Sequence, residues 1–124
     1  MGEPTQRYRD GGGWEESAGY SRAVRRLNLI AVSGTTADGA DTYQQTRAAL
    51  SRALAAVQKL GGRIDDVVRS RVYLVPGADW QAAARAHAEL LGAVAPANTM
   101  LHVASLIGDS FLVEVEIEAV VLVE

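Results

Sequence analysis

The sequence predicts an α+β fold: a β-sheet with two helices packed on one of its faces. Three observations carry this expectation. Two long segments repeat their apolar residues every three or four positions, as a helix does when one stripe faces a core. Five segments are rich in β-branched residues or alternate apolar and polar side chains, as strands do. The resulting order is β-β-α-β-α-β-β, with no internal repeat and no low-complexity tract.

The elements follow in order. Residues 1–18 form a leader ahead of a single domain at 19–124. Pro4 and Gly11-Gly12-Gly13 make its first part turn-rich or mobile. Tyr20–Val24 and Leu27–Ser33 read as short strands. In the second, Leu29, Ala31 and Ser33 alternate with Ile30 and Val32, the two-sided apolar pattern of a central strand. Asp41 caps the first helix, with Gln44 three residues on as in a capping box. Leu50, Leu54 and Val57 form its apolar stripe, and Gly61-Gly62 ends it after Leu60. Val67–Val75 is β-branched and predicts a strand, which Pro76-Gly77 turns. Asp79 caps a second helix whose stripe holds Trp80, Ala84, His87, Leu91 and Val94, and Pro96 closes it. Thr99–Ser105 and about Leu112–Val123 are the last strands. In the final one Val113, Val115, Ile117 and Ala119 face one way and Glu114, Glu116 and Glu118 the other.

Composition narrows the function classes. A chain of 124 residues fits one domain, and burying a face against other subunits would add to its stability margin. A net charge of −3 argues against a nucleic-acid backbone as partner, although Arg22, Arg25 and Arg26 lie close together. With no cysteine and only His87 and His102, neither a disulfide nor a thiolate nucleophile nor a structural zinc site is expected. No apolar run is long enough to span a membrane, and the N-terminus lacks the apolar core of a secretion signal. The expected compartment is the cytoplasm. Two helices cover only one face of such a sheet, so the mixed second face suits an oligomer interface, of a number the sequence does not specify.

Six motifs resemble a known family. Gly19-Tyr20-Ser21-Arg22-Ala23-Val24 is similar to the Gly-Pro-Tyr-Ser-Gln-Ala-Val opening of RidA/YjgF proteins, and Val32-Ser33-Gly34-Thr35 to their Val-Ser-Gly-Gln. Gln45-Thr46-Arg47-Ala48-Ala49-Leu50, Asp65-Asp66-Val67-Val68 with Val72-Tyr73-Leu74, Pro96-Ala97-Asn98-Thr99 and Glu116-Ile117-Glu118-Ala119 follow in the family's order and spacing. The resemblance covers residues 19–123. It implies a chorismate-mutase-like fold, a homotrimer with clefts between subunits, and cofactor-free hydrolysis of reactive enamines and imines.

The same resemblance assigns candidate site residues. Glu116 stands at the family's cleft glutamate, which positions water or relays a proton. Glu114 and Glu118 are the weaker candidates on the same strand face. Tyr20 stands at the cleft tyrosine. Asn98 stands where the family has a carboxylate-binding arginine, and loss of that charged contact is worth about 2–4 kcal/mol. Thr35 replaces the glutamine after Ser-Gly, and Leu27 replaces a glycine. Thr99 adds a hydroxyl beside Asn98. Outside the resemblance, Trp14, beside a glycine triplet, is a candidate to fold over a cleft as a lid or to pack against a neighbouring subunit. His87, His102 and Trp80 read as structural or packing residues. Family members without the arginine form separate subgroups, some in specialised biosynthetic pathways. The expectation is therefore a hydrolase for an enamine or imine other than a simple α-carboxylate; the alternative is a trimer that binds a small metabolite without turnover. A ribonuclease-type role is the weakest, for want of a basic, aromatic groove.

Overall fold

The computed structural model describes residues 4–122. The strands are β1 (Thr5–Tyr8), β2 (Ala23–Arg26), β3 (Leu29–Thr35), β4 (Val67–Leu74), β5 (Ala97–His102) and β6 (Val113–Val120). The helices are α1 (Glu15–Ala18), α2 (Thr42–Lys59) and α3 (Trp80–Leu91), with a short 3₁₀ turn at Ile64–Asp66. The six strands form one sheet in the order β1-β2-β3-β6-β4-β5. Only β4 and β5 run parallel, and α3 makes the crossover between them.

The two long helices form as their sequences require. The Asp41 carboxylate accepts from the Gln44 N–H at 2.8 Å, and Asp79 from the Ala82 N–H at 3.1 Å. The Gln44 side chain reaches back to the Ala40 N–H rather than to Asp41 itself. At the end of α2, the Gly62 N–H returns to the Val57 carbonyl, and Arg25 of β2 donates to the Leu60 carbonyl at 2.8 Å. Ala49, Ala53 and Ala56 let α2 lie close against its neighbours, while Leu50, Leu54 and Val57 fill the core. That core is completed by Ile30, Val32, Val72, Leu74 and the inward row Val113, Val115, Ile117 and Ala119 of β6.

Several expectations change. The leader is built into the fold: β1 pairs with β2, and α1 follows. Its anchors are side-chain hydrogen bonds, one of them long-range. Asp10 takes a two-pronged bond from Arg52 of α2 at 2.7 and 3.0 Å, and the buried Glu15 carboxylate accepts from the Gly11 and Arg22 N–H groups. Tyr20–Arg22 precedes β2 rather than opening it, because the Tyr20 and Arg22 amides bond to Glu15. The expected end of the last strand at Val123 lies outside the described residues. Leu27, at φ 54° in the two-residue turn between β2 and β3, holds the left-handed conformation that glycine would hold without strain. The apolar second face of β3 is open: Leu29 is 46% exposed, beside Val120 of β6.

Candidate active site

Residues from five regions meet at the end of β3 and β6 around a cleft of about 380 Å³. The N-terminal segment supplies Trp14 and Tyr20, β3 supplies Gly34, β6 supplies Glu114, and the loop before β6 supplies Ile107 and Phe111. Arg22 and Arg52 also line it. Trp14 is 62% exposed, and its backbone N–H donates to the Tyr20 hydroxyl at 3.4 Å. This ties the main chain at Trp14 to the rim.

Gly34 has a specific task. A Cβ at this position would stand 2.1 Å from Glu114 Oε2, so glycine leaves the space that the carboxyl occupies. Burial pushes the Glu114 carboxyl above the usual range, and the charge of Glu116 adds to this, while Arg22 opposes it.

Glu116 lies two residues on, on the same outer face. The Tyr73 hydroxyl donates to its Oε1 at 2.5 Å. That bond raises the tyrosine's own pKa first, with burial second. Across the sheet, Glu116 pairs in register with Arg71 of β4, and Arg71 with Thr99 of β5, so Thr99 and Glu116 share a face with an arginine between them.

The other expected residues fall elsewhere. Thr35 is fully buried: its hydroxyl donates to the Ser33 carbonyl at 2.7 Å and accepts from Arg22 at 3.1 Å. It is therefore a support under the cleft rather than a wall of it. Asn98 lies on the helix side of the sheet, in register with Ser70, which itself pairs with the core residue Ile117. Its Nδ2 donates to Ser70 Oγ at 3.0 Å, and the same hydroxyl meets His87 Nε2 at 2.7 Å. Burial lowers the His87 pKa, which favours the neutral ring. Within one chain, Asn98 thus belongs to a second cleft of about 460 Å³ with Trp80, Met100 and His102. Trp80, expected to pack, is 53% exposed there.

Sequence reasoning ranked Glu114 below Glu116 and gave Arg22 no role in the cleft. A signal for Glu114 existed in the small residue Gly34, but only the pairing of β3 with β6 connects the two. Among the described residues, no group of three or more His, Asp and Glu side chains is placed to hold a metal. No described helix is long and apolar enough to cross a membrane.

The comparisons agree with this architecture. The model of the family described as Endoribonuclease L-PSP matches residues 14–121. The chain belongs to this family. Rv2704 of Mycobacterium tuberculosis, a YjgF/YER057c/UK114 member, superposes with a TM-score of 0.90 at 38% identity, over 94% of this chain and 99% of that one. The uncharacterised protein SCO2049 of Streptomyces coelicolor is 40% identical over 94% of this chain and 92% of its own length. NMB1025 of Neisseria meningitidis, also a YjgF protein, shares the fold with a TM-score of 0.71 at 22% identity, over 97% of each chain. The YjgF fold is the α+β sheet with two main helices described above.

Proposed function

We propose that this YjgF-family protein hydrolyses a reactive enamine or imine to a carbonyl compound and ammonia, as a homotrimer. The observation that carries the reading is the pair Glu114 and Glu116, two residues apart on β6. The first is half-buried over Gly34 at the cleft, and its pKa is raised by burial and by the second. A carboxyl group poised above its usual range suits proton transfer near neutral pH.

The chemistry balances with these two groups and water. An enamine first tautomerises to the imine. Glu114 gives its proton to the imine nitrogen, which makes the carbon electrophilic. Water attacks that carbon while Glu116 takes its proton, and a carbinolamine forms. Glu116 then protonates the amino group, the C–N bond breaks, and ammonia leaves. The hydroxyl proton returns to Glu114 as the carbonyl forms. Tyr20 and Trp14 wall the site. Asn98 would meet the substrate only from a neighbouring subunit, since it lines the other cleft of its own chain, while Thr99 stands on the face that carries Glu116. Asn98 brings no charge, so the substrate's recognised group is not an α-carboxylate held from that position. A tailoring step in a specialised biosynthetic pathway fits such a shift.

One observation favours the alternative, a trimer that binds a small metabolite without turnover: an oxygen of Glu116 is already held by Tyr73. Ammonia release from freshly generated 2-aminoacrylate decides between them. Acceleration by the wild type, lost in Glu116→Gln and in Glu114→Gln, supports the hydrolase. An unchanged rate in Glu116→Gln removes its assigned role. If only Asn98→Arg accelerates release, the machinery is intact and the natural substrate differs. Inactivity of both wild type and Asn98→Arg favours the binding trimer.

A further inference from the structure

Asn98 lines the second cleft with one end of its amide already committed. Its Nδ2 donates to Ser70 Oγ at 3.0 Å and stands 3.4 Å from the Ser70 carbonyl oxygen. That carbonyl only accepts, so an amide turned the other way would set oxygen against oxygen. The buried Ser70 hydroxyl has His87 Nε2 at 2.7 Å for its own proton, and the burial of His87 favours the neutral ring that accepts it. Ser70 and His87 therefore lock the amide in one orientation. Asn98 itself is exposed, and its Oδ1 takes no hydrogen bond among the described residues. The group it offers to the cleft is an acceptor.

His102 adds a second acceptor. Its Nδ1 lies 3.0 Å from the Val75 carbonyl, which places the ring hydrogen on Nδ1 and leaves Nε2 of the neutral ring to accept. Leu74, Met100, Leu101 and the half-exposed Trp80 make the rest of the lining mostly apolar. Among the described residues no Asp, Glu, Lys or Arg lines this cleft. A charged group would lose water there and meet no opposite charge, whereas a neutral N–H finds acceptors. We infer that this cleft of about 460 Å³ binds an apolar small molecule through a neutral N–H group, such as a primary amide, that donates to Asn98 Oδ1. This deepens the proposed function and rests on it for Asn98 reaching a neighbouring subunit's substrate. The part of that substrate at position 98 is then a neutral N–H donor.

Trp14→Phe leaves Trp80 as the one indole and a reporter on the cleft. In that background hexanamide should change Trp80 fluorescence saturably. Its isomer N,N-dimethylbutanamide, which has no N–H, and hexanoate should each bind about tenfold or more weakly. Asn98→Leu should abolish this preference and leave the dimethyl isomer's affinity unchanged. Ser70→Ala, which unlocks the amide, should narrow the preference. A lower melting temperature with both amides weakened alike in Ser70→Ala marks a purely structural serine and overturns the lock. Equal binding of the two amides, or tighter binding of hexanoate, overturns the inference. So does the absence of a saturable change with hexanamide; a sedimentation mass that falls in Trp80→Lys then assigns the cleft to a contact between copies of the chain. The comparison of isomers on the unaltered Asn98 stands even if a variant fails to fold. Amide binding through Asn98 in a protein that releases no ammonia keeps this site and removes the hydrolase reading. Ammonia release without any preference for the N–H amide keeps the hydrolase and removes this site.

Discussion

Gly34 and Glu114 show how a single residue sets the chemistry of this cleft. The glycine is needed for room, since its φ is not in the left-handed region. Gly34→Ala should swing the flexible carboxyl away, so turnover or ligand affinity falls at least about tenfold while the melting temperature moves little, because the clashing atom is a side-chain end. Parallel activity and melting measurements test this; a large drop in both would show that the strand itself is disturbed. Asp10 gives a second residue-scale prediction. Its bond from Arg52 is the largest cause that lowers its pKa from 3.8 to about 2. A lowered carboxyl pKa contributes stability above the unfolded value, and this is lost as pH falls through the folded one. Asp10→Asn should therefore be less stable than the wild type above pH 3.8, by about 1 kcal/mol for a partly exposed pair, with the gap closing towards pH 2. Denaturant titrations across that range check it; a gap that does not depend on pH would remove Asp10's charge as the cause.

At the scale of elements, the helices followed local chemistry closely. The caps at Asp41 and Asp79, the stripe of Leu50, Leu54 and Val57, and the stop at Gly61-Gly62 are all short-range patterns, and they are where the fold was most legible. The leader was not. Its anchors, Asp10 to Arg52 and Glu15 to Arg22, join positions 42 and 7 residues apart, and no periodicity announces them. The end of α3 holds another strained position. Ala95 sits at φ 50°, and its N–H returns to the Leu91 carbonyl at 2.8 Å. Ala95→Gly should raise stability by about 1 kcal/mol, because glycine enters the left-handed region without a Cβ penalty. A thermal melt that falls instead would show that the neighbouring backbone already relieves the strain.

At the scale of the molecule, the sheet has one face under helices and one open. Leu29 and Val120 stand opposite each other on that open face, 46% and 36% exposed, with the Glu and Arg rows beside them. The proposed trimer would cover them. Sedimentation should give three chain masses for the wild type and 13.2 kDa for Leu29→Lys with Val120→Glu, a pair that attracts within the chain but would bury charges at an interface. A wild type that sediments as a single chain refutes the trimer.

The sequence by itself determined the fold class, the starts of the two long helices, the facing of β6 and membership of the family, because each is written in local spacing or in ordered motifs; the second helix was expected to run to Pro96 and ends at Leu91. It named Glu116, Tyr20 and Trp14, but could not say that Thr35 turns inward, that Asn98 faces the helices, or that Glu114 and Arg22 share a cleft with Gly34. Those facts depend on which strand pairs with which and in what register. A shift of one residue between strands would send every side chain to the opposite face, and that choice is made by the packed sheet rather than by any one segment.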